Sequence, residues 1–418
     1  MTAAIEQTRP AEAGTRRDFR RYLVGNGMST FGTMFTGVAT SALAVEAFGV
    51  TGVEAGMLRT AGMLPVLVIA PIAGVLADRV AHPRRLLIGA ELAAAAAVGL
   101  FVLALLGGLA NFVLLLLLTA VLGATTTLAS SVFFTHLNSL RAHDLANARA
   151  QLQTTDSLVG LGATATAGPL IATFGPVVAL VTDAFSYLFS AATLRSIGAP
   201  DHNPARDPSA GTGAVRRDIV EGVRVLLRSR IRPVIWYMLL SQAAFTGIAA
   251  LKAIFLLRTL DVPLYLYGVP GFCAMAFGAL GTIVASRTVS AGWSAGRATV
   301  AWWVGSALAL LLLPVSAGSL PVALTTASVS LSLVALCGSA GNITLVALFS
   351  ETIPERAMGR VHSTLMVLST LATIVGAPLA GVLADLFGIR AALWVCAAVG
   401  VAGLPLLRPW WRARTDAG

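Results

Sequence analysis

The octapeptide Pro71-Ile72-Ala73-Gly74-Val75-Leu76-Ala77-Asp78 returns almost unchanged as Pro378-Leu379-Ala380-Gly381-Val382-Leu383-Ala384-Asp385. Each copy closes a long apolar segment, but only the first runs on into arginines, at Arg79, Arg84 and Arg85. A repeated segment end with basic residues on one copy alone is expected of a duplicated membrane protein whose copies end on opposite faces of the bilayer.

Twelve apolar segments run along the chain, at 20–47, 52–77, 85–107, 111–135, 148–174, 176–197, 232–257, 264–287, 298–317, 320–349, 361–386 and 389–407. About 20 helical residues cover the ~30 Å of hydrocarbon in a bilayer. The composition agrees, with 56% hydrophobic and 11% charged residues and a mean hydropathy of +0.82. In a soluble domain about a quarter of the residues are charged. The chain is therefore read as an all-α membrane protein with twelve transmembrane helices. The first segment follows a polar, arginine-rich stretch with no small-residue cleavage site in reach, and is read as a retained helix.

The basic residues test this count, because an error of one helix would scatter them over both faces. They fall before the first segment (Arg16, Arg17, Arg20, Arg21), after even-numbered segments (the Arg79 cluster, Arg141, Arg206 to Arg232, Arg287, Arg297, Arg356, Arg360) and at the C-terminal end (Arg408, Arg412, Arg414). The opposite loops carry little beyond Arg258 and Arg390. Both termini are accordingly expected in the cytoplasm, with the chain in the cytoplasmic membrane. The formal net charge of +10 then reflects topology and anionic lipid rather than nucleic acid.

The longest polar stretch divides the segments six and six. The expected organisation is a tail at 1–19, a six-helix bundle at 20–197, a linker at 198–231, a second bundle at 232–407 and a tail at 408–418. In the linker, Val215, Ile219, Val223 and Leu226 recur at helical spacing against Arg216, Arg217, Arg224 and Arg228, the pattern of an amphipathic helix on the membrane surface. Cys273, Cys337 and Cys396 lie in apolar segments and read as free structural thiols. The five histidines lack metal-ligand spacing, and no GxxxxGK[ST] loop is present for ATP. No metal, cofactor or enzymatic site is expected.

Gly74-Val75-Leu76-Ala77-Asp78-Arg79, with Arg84 and Arg85 beyond it, resembles the loop 2–3 signature of the major facilitator superfamily. Ala81-His82-Pro83 replaces a single residue of that pattern, so either Arg84 or Arg85 can hold the trailing position. The first segment (FRRYLVGNGMSTFG), TDAFSYLFSAATLRSI, DIVEGVRVLLRS and ETIPERAMGRVHS are similar to the branch containing bacterial drug, macrolide and siderophore exporters. Gly168-Pro169 is similar to the core of an antiporter signature, with Thr164, Ala172 and Thr173 departing from it. The resemblance implies two pseudo-symmetric six-helix bundles, each of inverted triplets. It also implies that Gly74, Asp78, Arg79, Arg84 and Arg85 form a cytoplasmic conformational latch. Asp385 is expected on the other face, as a remnant of the repeat with a packing role.

Ionisable side chains at membrane depth are functional candidates because each costs several kcal/mol unless it faces water or a partner. Glu91, Asp156 and Asp183 are the candidates for proton coupling; for Asp183 a structural hydrogen bond is the alternative. Arg59 and Lys252 attract an anionic group or pair with Asp183 or Glu54. The resemblance places a cavity among the first, fourth, seventh and tenth segments. Polar rows there supply Asn26, Thr126, Ser130, Gln242, Ser332 and Ser339 as substrate candidates together with Arg59 and Lys252, and Phe134, Phe245 and Trp302 as aromatic lining. Interhelical packing is the alternative role for the hydroxyls.

The expected function is secondary active export of a hydrophobic or amphipathic small molecule by alternating access with proton antiport, performed by a monomer. Proton-coupled uptake and a transporter-like sensor are the alternatives.

Overall fold

The computed structural model describes residues 2–79, 82–141, 145–198, 224, 226 and 229–412, with side chains described except at 2–16, 70–79, 133–141, 145–146, 289, 355–357 and 411–412. Gly74, Asp78 and Arg79 of the expected latch, Phe134, and almost all of the linker helix therefore lie outside the described residues or side chains. Among the described residues there is no strand, and twelve helices are long and apolar enough to span a membrane. They are α1 (Arg17–Ala47), α2 (Gly52–Ile69), α3 (Pro83–Leu106), α4 (Phe112–Val132), α5 (Asn147–Phe174), α6 (Pro176–Arg195), α7 (Arg232–Thr259), α8 (Leu264–Thr288), α9 (Ala295–Val315), α10 (Leu320–Thr352), α11 (Met358–Phe387) and α12 (Ile389–Trp410).

The solvent expected from composition is visible in what each helix exposes. Leu100, Leu103, Leu106, Phe185 and Leu386 are all about two-thirds exposed, on a chain whose buried positions include many Ala, Gly, Ser and Thr. Lipid tails are as apolar as leucine, so large apolar side chains gain little by facing inward, and small residues let helices approach.

The chain forms two compact units, one of residues 1–43 and 64–212, the other of 44–63 and 213–418. In the first, α1 packs on α5 and α6, and α3 on α4 and α6. In the second, α7 packs on α11 and α12, and α9 on α10 and α12. These four pairings recur after a shift of six helices, the internal signature of duplication, whereas the extensive α8–α10 contact of the second unit is not matched by an α2–α4 contact of like extent among the described residues. Helices α1 and α7, equivalent in that scheme, also end alike, in π-helical turns at Leu43–Ala47 and Phe255–Thr259.

Three boundaries differ from the sequence expectation. Residues 44–63, expected with the first bundle, pack with the second unit because Gly52 and Gly56 of α2 lie against the α11 backbone: a β-carbon on Gly52 would sit 2.6 Å from Gly381 O, and one on Gly56 2.6 Å from Ala377 O. The tail expected at 1–19 is already helical, with Asp18 and Phe19 buried. At the other end the chain stays ordered past 407, and Trp410 packs on Gly296 and the Tyr237–Trp303 core cluster. An aromatic ring at a helix end is more useful covering that cluster than in water.

Candidate functional site

One face of α1 organises the first unit. Asn26, Ser29, Thr30, Thr33 and Thr36 recur at intervals of three and four, which stacks them along one stripe of a helix. The stripe meets every carboxylate expected at membrane depth. Asn26 Nδ2 donates to Asp156 Oδ1 on α5 at 2.7 Å, and Thr30 Oγ1 to the same oxygen at 3.1 Å. Glu91 on α3 accepts from Ser29 at 3.3 Å and from Ser190 of α6 at 2.9 Å. Thr36 donates to Asp183 Oδ2 at 2.5 Å, and Thr33 and Tyr187 hydroxyls lie 3.0 Å apart.

Glu91 and Asp156 open onto a cavity of about 410 Å³ within this unit, whose lining also includes Tyr22, Asn26, Thr126, Ser130 and Tyr187. No Arg, Lys or His is among its lining residues. Both carboxylates thus take hydrogen bonds from neutral donors. Asp183 does not line this cavity: it is fully buried between α1 and α6, with Ser186 Oγ 3.2 Å from Oδ1. Its hydrogen bonds run to Thr36 and Ser186 rather than into the cavity.

That α1–α6 contact is close because glycine makes it so. A β-carbon on Gly32 would lie 2.1 Å from Ser186 Oγ and 2.4 Å from Asp183 Oδ1. Gly32→Ala is expected to push the helices apart and weaken the Thr36–Asp183 bond, costing about 2 kcal/mol. A lowered thermal midpoint in detergent that Ser186→Gly partly restores is the expected result; an unshifted midpoint would show that the helices slide without cost.

The second unit has a cavity of about 490 Å³, lined by Gln242, Phe245 and Lys252 of α7, Trp303 and Ser306 of α9, and Ser339 and Asn342 of α10. Gln242 Nε2 also lies 3.4 Å from Thr373 Oγ1 of α11. Lys252 is the single lysine of the chain, and no carboxylate lines the cavity. Neither pairing expected for Arg59 and Lys252 is formed. Asp183 is occupied by Thr36, and Glu54 folds back onto the Thr51 N–H at 2.8 Å.

Other expectations change. Ser332 is buried in α10 and lines neither cavity; it lies on nearly the same face as Ser339 but two turns away along the helix. Arg59 is exposed on α2 and lines neither. Trp303, not Trp302, faces the second cavity. Of the two candidates for the trailing arginine, Arg84 donates to Ile197 O at 2.6 Å, while Arg85 is exposed. With Arg21, which donates to Ser196 O at 2.5 Å, Arg84 places positive charge at the C-terminal end of α6, where free carbonyls favour it. Sequence reading missed Thr30, Thr33, Thr36, Tyr187 and Ser190; their helical spacing on α1 and α6 was the available signal.

Two helical units whose main pairings recur after six helices, each holding its own polar cavity, define an internally duplicated membrane protein. The chain belongs to the Major Facilitator Superfamily, whose family model matches residues 22–361. No curated protein sequence matches it. Among solved structures it is similar to the nucleoside transporter NupG (D323A mutant), with a TM-score of 0.78 at 10% identity, over 95% of this chain and 100% of that one. It is also similar to a bacterial homologue of the iron transporter ferroportin in an inward-facing state (TM-score 0.71, 17% identity, 95% and 99% covered). A third is a bacterial homolog to the human lysosomal transporter Spinster (0.70, 14%, 96% and 97%). At these identities the likeness is one of fold. The protein is a transporter of this superfamily.

Proposed function

We propose that the chain is a proton-driven antiporter that exports a hydrophobic or amphipathic small molecule across the cytoplasmic membrane, with both termini in the cytoplasm. The observation that carries this reading is the pair Glu91 and Asp156, cavity-facing carboxylates held by hydroxyl and amide donors. Such a carboxylate gains or loses a proton without breaking an ion pair, and α1, which holds both, is the element able to sense the change. The second cavity supplies aromatic surface from Phe245 and Trp303, amides and hydroxyls for orientation, and one cation, Lys252. That mixture suits an amphipathic solute with at most one acidic group. The arginines gathered at even-to-odd loops support the orientation.

The test is transport by the purified protein in proteoliposomes loaded with a panel of lipophilic fluorescent dyes. An imposed pH gradient is expected to drive dye against proton flow, and reversing the gradient to reverse dye movement. Dye moving with the protons would establish symport instead, and gradient-independent movement would remove proton coupling from the reading.

A further inference from the structure

The second octapeptide ends on a carboxylate that meets the terminus of another helix. Asp385, at the end of α11, accepts from Gly52 N at 2.6 Å through Oδ1 and from Val53 N at 2.9 Å through Oδ2. These are the first two N–H groups of α2, which have no partner within their own helix. The next, on Glu54, donates to Thr51 Oγ1 at 3.3 Å in a capping box whose other half is Thr51 N donating to Glu54 Oε2 at 2.8 Å. Asp385 thus completes the α2 N-terminus from more than 300 residues away in sequence.

A second contact lies beside it. Arg258, in the π-helical end of α7, donates to Val50 O at 3.0 Å and to Val45 O, the latter in the π-helical end of α1. The turn between α1 and α2 is therefore held at its carbonyls by a guanidinium and at its N–H groups by a carboxylate. Beneath these charges the seam is made of small residues, Gly52 and Gly56 against Ala377 and Gly381, with Thr60 Oγ1 reaching Ile374 O at 3.4 Å. A glycine seam has no interdigitated side chains to unlock, so its separation costs chiefly the charged contacts. The equivalent helix α5 reaches Phe174-Gly175 a turn sooner after Pro169 than α11 reaches Phe387-Gly388 after Pro378. The aspartate sits on that extra turn.

We infer that Asp385 and Arg258 form a latch on the membrane face opposite the termini, made when residues 45–53 dock on α7 and α11 and broken when the carrier opens to that face. Alternating access requires each side to open in turn. Charge-assisted bonds to exposed backbone groups are suited to this, since water replaces them on opening.

The test needs no substrate, so it is independent of the exporter reading. In a background with Cys273, Cys337 and Cys396 replaced by alanine, Gln242→Cys in the second cavity is labelled with a membrane-impermeant maleimide from the loop 1–2 side of oriented vesicles. Asp385→Ala and Arg258→Gln are each expected to raise the labelling rate by roughly tenfold, the scale of losing a two-bond cap. Asp385→Asn, which keeps one acceptor, is expected to fall between. A second arm pairs Val53→Cys with Asp385→Cys: crosslinking is expected to suppress labelling of Gln242→Cys, and reduction to restore it. Rates unchanged by the substitutions, or labelling that persists in the crosslinked protein, would overturn the latch.

Discussion

Asp156→Asn is expected to abolish gradient-driven transport while leaving a folded protein that still exchanges substrate down its own gradient. Asparagine has nearly the same shape, and its carbonyl oxygen still accepts from Asn26 and Thr30, so the α1–α5 contact persists. What it loses is the ability to carry a proton. Removal of a proton-transferring group costs about two orders of magnitude or more in rate, and a drop of that size in pH-driven dye accumulation is expected, measured beside unchanged counterflow. Glu91→Gln is the companion variant, since Glu91 faces the same cavity. Asp183→Asn is the contrast: buried against Thr36 and away from the cavity, it is expected to lower thermal stability and leave coupling intact. Equal coupling in wild type and Asp156→Asn, with Glu91→Gln also active, would place the proton elsewhere.

Gly281→Val is expected to be the most disruptive single substitution in the second unit. A β-carbon there would lie 2.2 Å from Leu336 O and 3.0 Å from Leu336 Cα and C, all backbone atoms of α10. No rotamer can relieve a clash with backbone, so α8 and α10 must separate along a contact that seats one wall of the second cavity. Overpacking of this kind costs about 3 kcal/mol or more. The apparent melting temperature is expected to fall by roughly 5 °C or more, with a smaller folded fraction on size exclusion. One turn away, a β-carbon on Gly278 would meet Ser339 Oγ at 3.4 Å, Ala335 Cβ at 3.7 Å and Ala335 O at 3.9 Å, all ordinary van der Waals contacts. Gly278→Ala is therefore expected to be tolerated, and equal damage from both substitutions would point to helix propensity rather than close approach.

The α1 stripe shows how much of the candidate site could be read from the chain and where reading stopped. Asn26 was recognisable as a polar residue in an apolar segment, and Glu91, Asp156 and Asp183 as charges at membrane depth. Which donor meets which carboxylate depends on the rotation of α1 against α3, α5 and α6. Small residues set that rotation: Gly25 and Gly32 bring α1 onto α6 within reach of Thr193, Ser186 and Asp183. Depth is a second limit: Ser332 and Ser339, seven residues apart, share a face of one helix, yet only Ser339 lines the cavity.

The fold class, the number of crossings and the even division of helices follow from sequence alone, because burial in lipid demands long apolar segments and topology sorts arginine by face. Arg258 and Arg390 stood out in that sorting as the basic residues on the sparsely charged face, and both hold backbone carbonyls, Arg390 at Ser316 O. Sequence also marked Asp385 through its repeat, yet tertiary structure alone decided what it does. A carboxylate at a helix end has the same composition whether it faces solvent or two free N–H groups, and only the approach of α2 to α11 across a glycine seam distinguishes the two.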